Sequence, residues 1–217
     1  MKWRVLVAIL VIGQFARAGD GVKVGFGISP SLRINAHHSK IIKTWQFQTG
    51  YGFNAGIPVR VTMLQSAAKM GFTTGLFYDY TAFDQLQFGV LASSFRLSGV
   101  QVPIMINYPI RGTWFADFGG GVTYYFLTTG LSGGYRVNIN SDVQQFQPWL
   151  GFGVHNLIER GAGNFELGLN IRAAFLELFE KDYPGVAAAT SNILCIDGNI
   201  RFYFSKKNTK GVIDGTE

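Results

Sequence analysis

Between Trp45 and Val61 the chain reads WQFQTGYGFNAGIPVRV, and its two kinds of side chain never change places. The odd positions hold Trp45, Phe47, Thr49, Tyr51, Phe53, Ala55, Ile57, Val59 and Val61. The even positions hold Gln46, Gln48, Gly50, Gly52, Asn54, Gly56, Pro58 and Arg60. A period of two is that of a β-strand, whose successive side chains point to opposite faces. Ordinary strands run about 5–6 residues, so this run is about three times the common length. Such a chain is confined to large, regular, two-faced sheets.

The pattern recurs. Period-two segments are predicted over residues 22–34, 45–63, 70–80, 100–110, 114–126, 146–158, 165–175 and 196–204. On the apolar face of all eight there is no Asp, Glu, Lys or Arg. The opposite faces carry Lys23, Arg33, Arg60, Asp79, Asp117, Glu166, Arg172, Asp197 and Arg201, together with many of the 28 glycines. A soluble barrel buries its apolar face and keeps glycine mostly for turns, because a strand glycine gives up packing. A membrane barrel turns the apolar face to lipid and fills a narrow lumen with polar groups. With eight strands that lumen is only just wide enough for side chains, and glycine makes room for neighbouring Arg and Lys. The expected fold class is therefore all-β: an eight-stranded antiparallel up-and-down transmembrane β-barrel.

Aromatic residues fall where interfacial girdles belong. Trp45, Tyr80, Tyr124 and Phe126 lie near one end of their strands; Tyr108, Trp114, Phe165, Phe202 and Phe204 lie near the other. The connections alternate in length. Residues 64–69, 111–113 and 159–164 form short turns. Residues 35–44, 81–99, 127–145 and 176–195 form long loops. Short turns inside and long loops outside is the usual asymmetry of these barrels, and an even strand number leaves both termini in the periplasm.

The start MKWR, the apolar core VLVAILVIG and the small residues of ARA at 16–18 form a secretory signal. Residues 1–18 are expected to be cleaved, 19–207 to form the barrel and 208–217 a short periplasmic tail. Removing Lys2, Arg4 and Arg17 lowers the formal charge from +6 to about +3. No clustered Lys/Arg face suggests nucleic-acid binding. Cys195, the single cysteine, has no intrachain partner, so a closed hydrogen-bond ladder must do what disulfides do in many exported domains.

The stretch FRLSGVQVPIMINYPIRGTWFADFGGGVTYYF, with Pro103, Gly119 and Gly121, resembles the central hairpin of the small outer-membrane β-barrel family that includes PorT-like proteins. The final GNIRFYF is similar to the aromatic-ended insertion signal of such barrels. The resemblance implies an OmpA/OmpX-like eight-stranded architecture in the outer membrane of a Gram-negative bacterium. Its partners would be lipopolysaccharide and phospholipid, with an envelope protein reached through the loops. It supplies no activity.

No residue is assigned a catalytic, cofactor-binding or metal role, and no cofactor is expected. His37 and His38 are adjacent, so they point apart in an extended chain and make a poor metal pair without a ligand from another loop. His37 with Asp84 or Asp142 could imitate a surface-loop enzyme, but no spacing supports it. His155 is expected to be hydrogen-bonded lumen filling. The nine face charges, five basic and four acidic, suggest mutual pairing rather than the single-sign lining of an ion path. The expected function is thus structural or surface-interacting, through the loops of a monomer. The alternatives are a narrow pore or accessory part of an envelope transport or secretion system and, last, an enzyme.

Overall fold

The computed structural model describes residues 21–39, 45–62, 70–87, 90–132, 134–160, 163–178 and 189–204. The expected signal peptide, the turn at 64–69 and the tail at 208–217 lie outside them. Nine strands are described: β1 Val22–Ser39, β2 Trp45–Thr62, β3 Gly71–Gln87, β4 Val90–Arg111, β5 Trp114–Ser132, β6 Tyr135–Asn138, β7 Phe146–Arg160, β8 Gly163–Ala174 and β9 Ala189–Phe204. Eight of them close a ring in the order β1-β2-β3-β4-β5-β7-β8-β9, sealed by the antiparallel pairing of β1 with β9 and of β4 with β5. The chain is a closed eight-stranded antiparallel β-barrel, as the alternation requires.

Each expected face is where the sequence puts it. Phe26, Ile104, Leu150 and Phe152 point outward and are 57–61% exposed. Tyr108, Trp114, Tyr124, Phe126 and Phe204 also face out; the side chain of Trp45 lies outside the described residues. The charged partners of these faces point in, and the four arginines and four carboxylates of the lumen are 0–7% exposed.

The long loops are the main correction. Much of 81–99 and of 127–145 is strand: β3 and β4 approach to within a two-residue connection, β5 continues to Ser132, and β6 folds back on it. The 22 residues of β4, at ~3.3 Å each and a tilt of about 40°, rise about 55 Å, against a hydrocarbon core of about 30 Å. The excess continues past the outward apolar belt, and there the sidedness reverses. Phe83, Phe95, Leu97 and Tyr125 point inward, while Asp84 and Arg96 remain partly exposed. A membrane-type barrel thus carries a soluble-type barrel on its long-connection end. The strands are longer than the alternation predicts because one sidedness does not hold along their whole length. Cys195, expected at the end of a loop, is likewise in β9 and buried in the lumen.

A β-bulge marks the change in β5. Ser98 pairs with Leu127 and Gly99 with Tyr125, leaving Phe126 as the extra residue. Here β7 ends its pairing with β5 at Tyr124–Phe146, and β6 begins at Thr129–Asn138. Asn140 fills the gap. Its Oδ1 accepts from Thr128 N and Thr128 Oγ1, each at 2.6 Å, and its Nδ2 donates to Phe126 O at 3.1 Å. One side-chain amide thus completes the ladder where two strands change over.

The inward glycines face bulk. Direct cross-strand pairs include Gly27–Arg201, Gly50–Phe83, Gly99–Tyr125, Gly121–Trp149, Gly151–Arg172 and Gly168–His155. A Cβ on Gly121 would lie 2.6 Å from Trp149 Cζ2, one on Gly27 2.8 Å from Arg201 Cγ, and one on Gly168 2.7 Å from His155 Cβ. The expected role of these glycines as room for larger neighbours is what the packing displays, although Trp, Phe and Tyr use it as well as Arg.

Candidate functional site

The lumen is the most elaborated part of the molecule, and it is built in layers. Toward the long-connection end, Arg33 of β1 donates to Asp79 of β3 at 2.9 Å and to the Cys195 sulfur. Arg172 of β8 chelates Asp197 of β9 through Nε and Nη2, and its Nη2 lies 3.9 Å from Asp79. With its amide turned to suit both neighbours, Asn54 joins Asp79 to Arg172. Two guanidinium groups and two carboxylates therefore neutralise one another across four strands.

Toward the short-turn end lies a second set. Glu166 of β8 accepts from Arg201 at 2.6 Å, from Arg60 at 3.3 Å and from Tyr203 OH at 3.2 Å. Arg60 Nη1 also lies 2.8 Å from His155 Nε2, and His155 Nδ1 lies 2.7 Å from Asp117 Oδ2. A guanidinium can only donate, so Nε2 must accept. The proton of the neutral imidazole then sits on Nδ1 and is donated to Asp117, which also accepts from Asn107 at 2.6 Å. Phe115 stacks on the imidazole with ring centroids 5.1 Å apart, and the Arg60 guanidinium lies 4.5 Å from the centre of the Phe115 ring. His155 is hydrogen-bonded filling, as expected, but it also holds two ionic pairs in one network.

Lys23 had left the sequence tally one positive charge in excess. Its partner is Glu159, 3.1 Å away at the short-turn rim, a residue the sequence reading placed in a turn. Paired this way, the lining has no net sign. Among the described residues an apolar cluster lies toward each end. At the long-connection end Phe83, Phe95, Leu97, Tyr125 and Ile193 of the wall meet Ile139, Val143 and Leu178 from the connections. At the other end Phe115, Leu157 and Tyr203 pack together. This second tier of plug residues was not legible in the sequence, because Ile139, Val143 and Leu178 belong to no alternating run.

The two aspartates named with His37 have local partners. Asp84 is bound by Arg96 at 2.8 and 3.2 Å and by Ser94 at 2.7 Å. Asp142 interacts with Ser141 in the β6–β7 connection. The side chains of His37 and His38 lie outside the described residues; their backbones continue β1. Among the described residues no group of three or more His, Cys, Asp or Glu is placed to hold a metal.

An outward apolar belt around a paired, polar interior defines a small barrel of the membrane type. No family model matches the chain, so none supports the PorT-like resemblance, and no curated protein sequence matches it either. Among solved structures it is similar to Neisserial surface protein A, at 12% identity over 82% of this chain and 97% of that one, with a TM-score of 0.49. It is also similar to the outer membrane protein OprG from Pseudomonas aeruginosa (8% identity, 85% and 93% covered, TM-score 0.31) and to a deletion mutant of the TodX monoaromatic hydrocarbon channel (9%, 87% and 91%, 0.30).

Proposed function

We propose that this chain is an outer-membrane β-barrel that works as a sealed, rigid mount for its long-connection end, which it presents at the cell surface while both termini remain in the periplasm. The observation that carries this reading is the lumen: oppositely charged side chains paired across the barrel, with an apolar cluster toward each end. Conduction needs a continuous wet path, and ions would have to break buried pairs to pass. The belt of exposed Phe, Ile, Leu and Val supports a lipid environment, since a contiguous apolar surface on this scale is foreign to soluble monomers. The β3–β4 and β5–β6 hairpins extend the wall strands into the exposed tip and so offer a surface to a protein partner.

The test is conductance in planar bilayers. Reconstituted protein is expected to give no stepwise openings at any voltage at which a general porin conducts. Reproducible single-channel steps from the wild-type chain would overturn the sealed-mount reading. Protease or an impermeant label applied to intact cells tests orientation: it should reach the β5–β6 hairpin and leave the Gly112 turn untouched.

A further inference from the structure

Two small cavities adjoin the Arg33–Arg172 layer, the larger on the side of Arg201 and the smaller on the side of the apolar cluster at Tyr125 and Ile193. The larger, about 30 Å³, is lined by Asn54, Gln101, Asn170 and Arg201 among others. The smaller, about 20 Å³, is lined by Arg33, Gln147 and Cys195 among others. Trp149 and Arg172 line both. Five buried polar atoms on these walls have no hydrogen-bond partner in the protein: Arg33 Nε and Gln147 Oε1 on the smaller cavity, Arg201 Nε and Asn170 Oδ1 on the larger, and Trp149 Nε1 on the wall they share. All five side chains are at least nine-tenths buried.

These groups cannot readily turn to one another. The Trp149 ring is wedged against Gly121 and Gly151 and lies under the Arg172 guanidinium, 5.1 Å from ring centre to Cζ. The Gln147 amide is fixed because its Nε2 donates to the main-chain oxygens of Gln144 and Glu177. A buried donor or acceptor with no partner bears its full desolvation cost, and five in one layer would be exceptional for a native interior.

We infer that the two cavities are hydration sites, holding about two and about one water molecules on either side of Trp149. A site needs about 10–15 Å³ for each water, which the volumes provide. The ligand class follows from the wall chemistry. Each cavity offers an unpaired donor and an unpaired acceptor, which one water satisfies at once. An anion would be served by the arginine and indole N–H groups but repelled by the Gln147 and Asn170 oxygens. A cation would meet Arg33, Arg172 and Arg201. These waters lie between the two apolar clusters. They solvate the guanidinium groups without making a channel, which extends the sealed-lumen reading above. That reading fails on conductance, whereas this one fails on hydration.

The experiment is water-selective nuclear Overhauser spectroscopy on the full chain refolded in micelles, read at the Trp149 indole N–H. The resonance is identified by its loss in Trp149→Phe or, should that variant not fold, by elimination with Trp3→Phe, Trp45→Phe and Trp114→Phe. A cross-peak to water with the sign of a long-lived complex is the expected result. An intact indole N–H with no water cross-peak overturns the proposal. Crystals grown in sodium bromide supply the second reading. An anomalous peak beside Trp149 Nε1 would assign the site to an anion and overturn it equally; water-like density without one agrees with it.

Discussion

Glu166→Gln probes the inner ionic layer at its centre. Glu166 is fully buried and serves three donors: Arg201 on one oxygen, Arg60 and Tyr203 OH on the other. Glutamine keeps the shape but turns one of those oxygens into an amide that faces donors, and it leaves the layer with an uncompensated positive charge. Breaking one side of a buried pair costs about 3–5 kcal/mol, and that is the loss of stability expected. Glu159→Gln removes the other Lys-or-Arg partner of β7–β8, but its side chain is 66% exposed, so about 1 kcal/mol or less is expected. Adding Arg201→Gln to Glu166→Gln restores the charge balance, and the double variant should be more stable than the sum of the single losses by about 0.5–3 kcal/mol. Reversible urea unfolding in lipid vesicles, followed by tryptophan emission and by gel mobility before and after boiling, measures all five proteins, the Arg201→Gln single variant included. If Glu166→Gln is as mild as Glu159→Gln, the inner layer is wet and exchangeable, and the case for a sealed lumen collapses.

Ile104→Arg places a charge on the lipid face at mid-strand, where Ile104 is 61% exposed; a loss of about 2–4 kcal/mol is expected in vesicles, against about 0–1 kcal/mol for Ile110→Arg near the rim. Equal effects at the two sites would contradict the membrane depth assigned to β4. Asn140→Ala should cost about 1 kcal/mol and speed deuterium exchange at the Thr128 amide, with amides at Phe118 and Val122 unchanged; uniform acceleration along β5 would mean that Asn140 does more than complete the bulge. Arg96 hydrogen bonds hold the Asp84 carboxyl below its ordinary range. Their contribution is present above that range and lost as pH falls through the lowered value. Because the pair is partly exposed, about 1 kcal/mol or less is at stake. Amide exchange in the β3–β4 hairpin should therefore rise below about pH 4 in the wild type, and Asp84→Asn should show no such step.

The barrel was legible in the sequence because lipid and lumen impose opposite demands on adjacent residues, and a period of two records both. Phe26, Ile28 and Leu32 against Ser29 and Arg33 is such a record. Above the membrane that contrast fades. Ala82, Phe83 and Asp84 follow one another with no constant sidedness, so β3 seemed to end at Tyr80. The bulge at Phe126 then shifts the phase of β5 by one residue and hides the inward-facing Thr128. The charge layers were legible only as a count. Near-equal numbers of Arg and carboxylate implied pairing, but which pairs form depends on register between strands distant in sequence. Arg33 with Asp79 and Arg60 with Glu166 could not be read from one strand at a time. Glu159 was missed because a residue at a turn was not counted as lumen.

The alternation that made the barrel recognisable has a weakness that the glycines repair. Slipping one strand against its neighbour by two residues leaves every apolar side chain in lipid and every polar one inside, so the pattern cannot detect it; only a one-residue slip changes the faces. The inward glycines can. In the native register Gly151 faces Arg172, Gly153 faces Asn170 and Gly168 faces His155. Slide β8 two residues along β7, and Trp149 would collide with Arg172 while Gly153 and Gly168 stood opposite each other over a void. The interior thus works as a key cut in small and large teeth. It rejects misalignments that the surrounding membrane would accept, and it gives a strand arriving during assembly a single depth at which to stop.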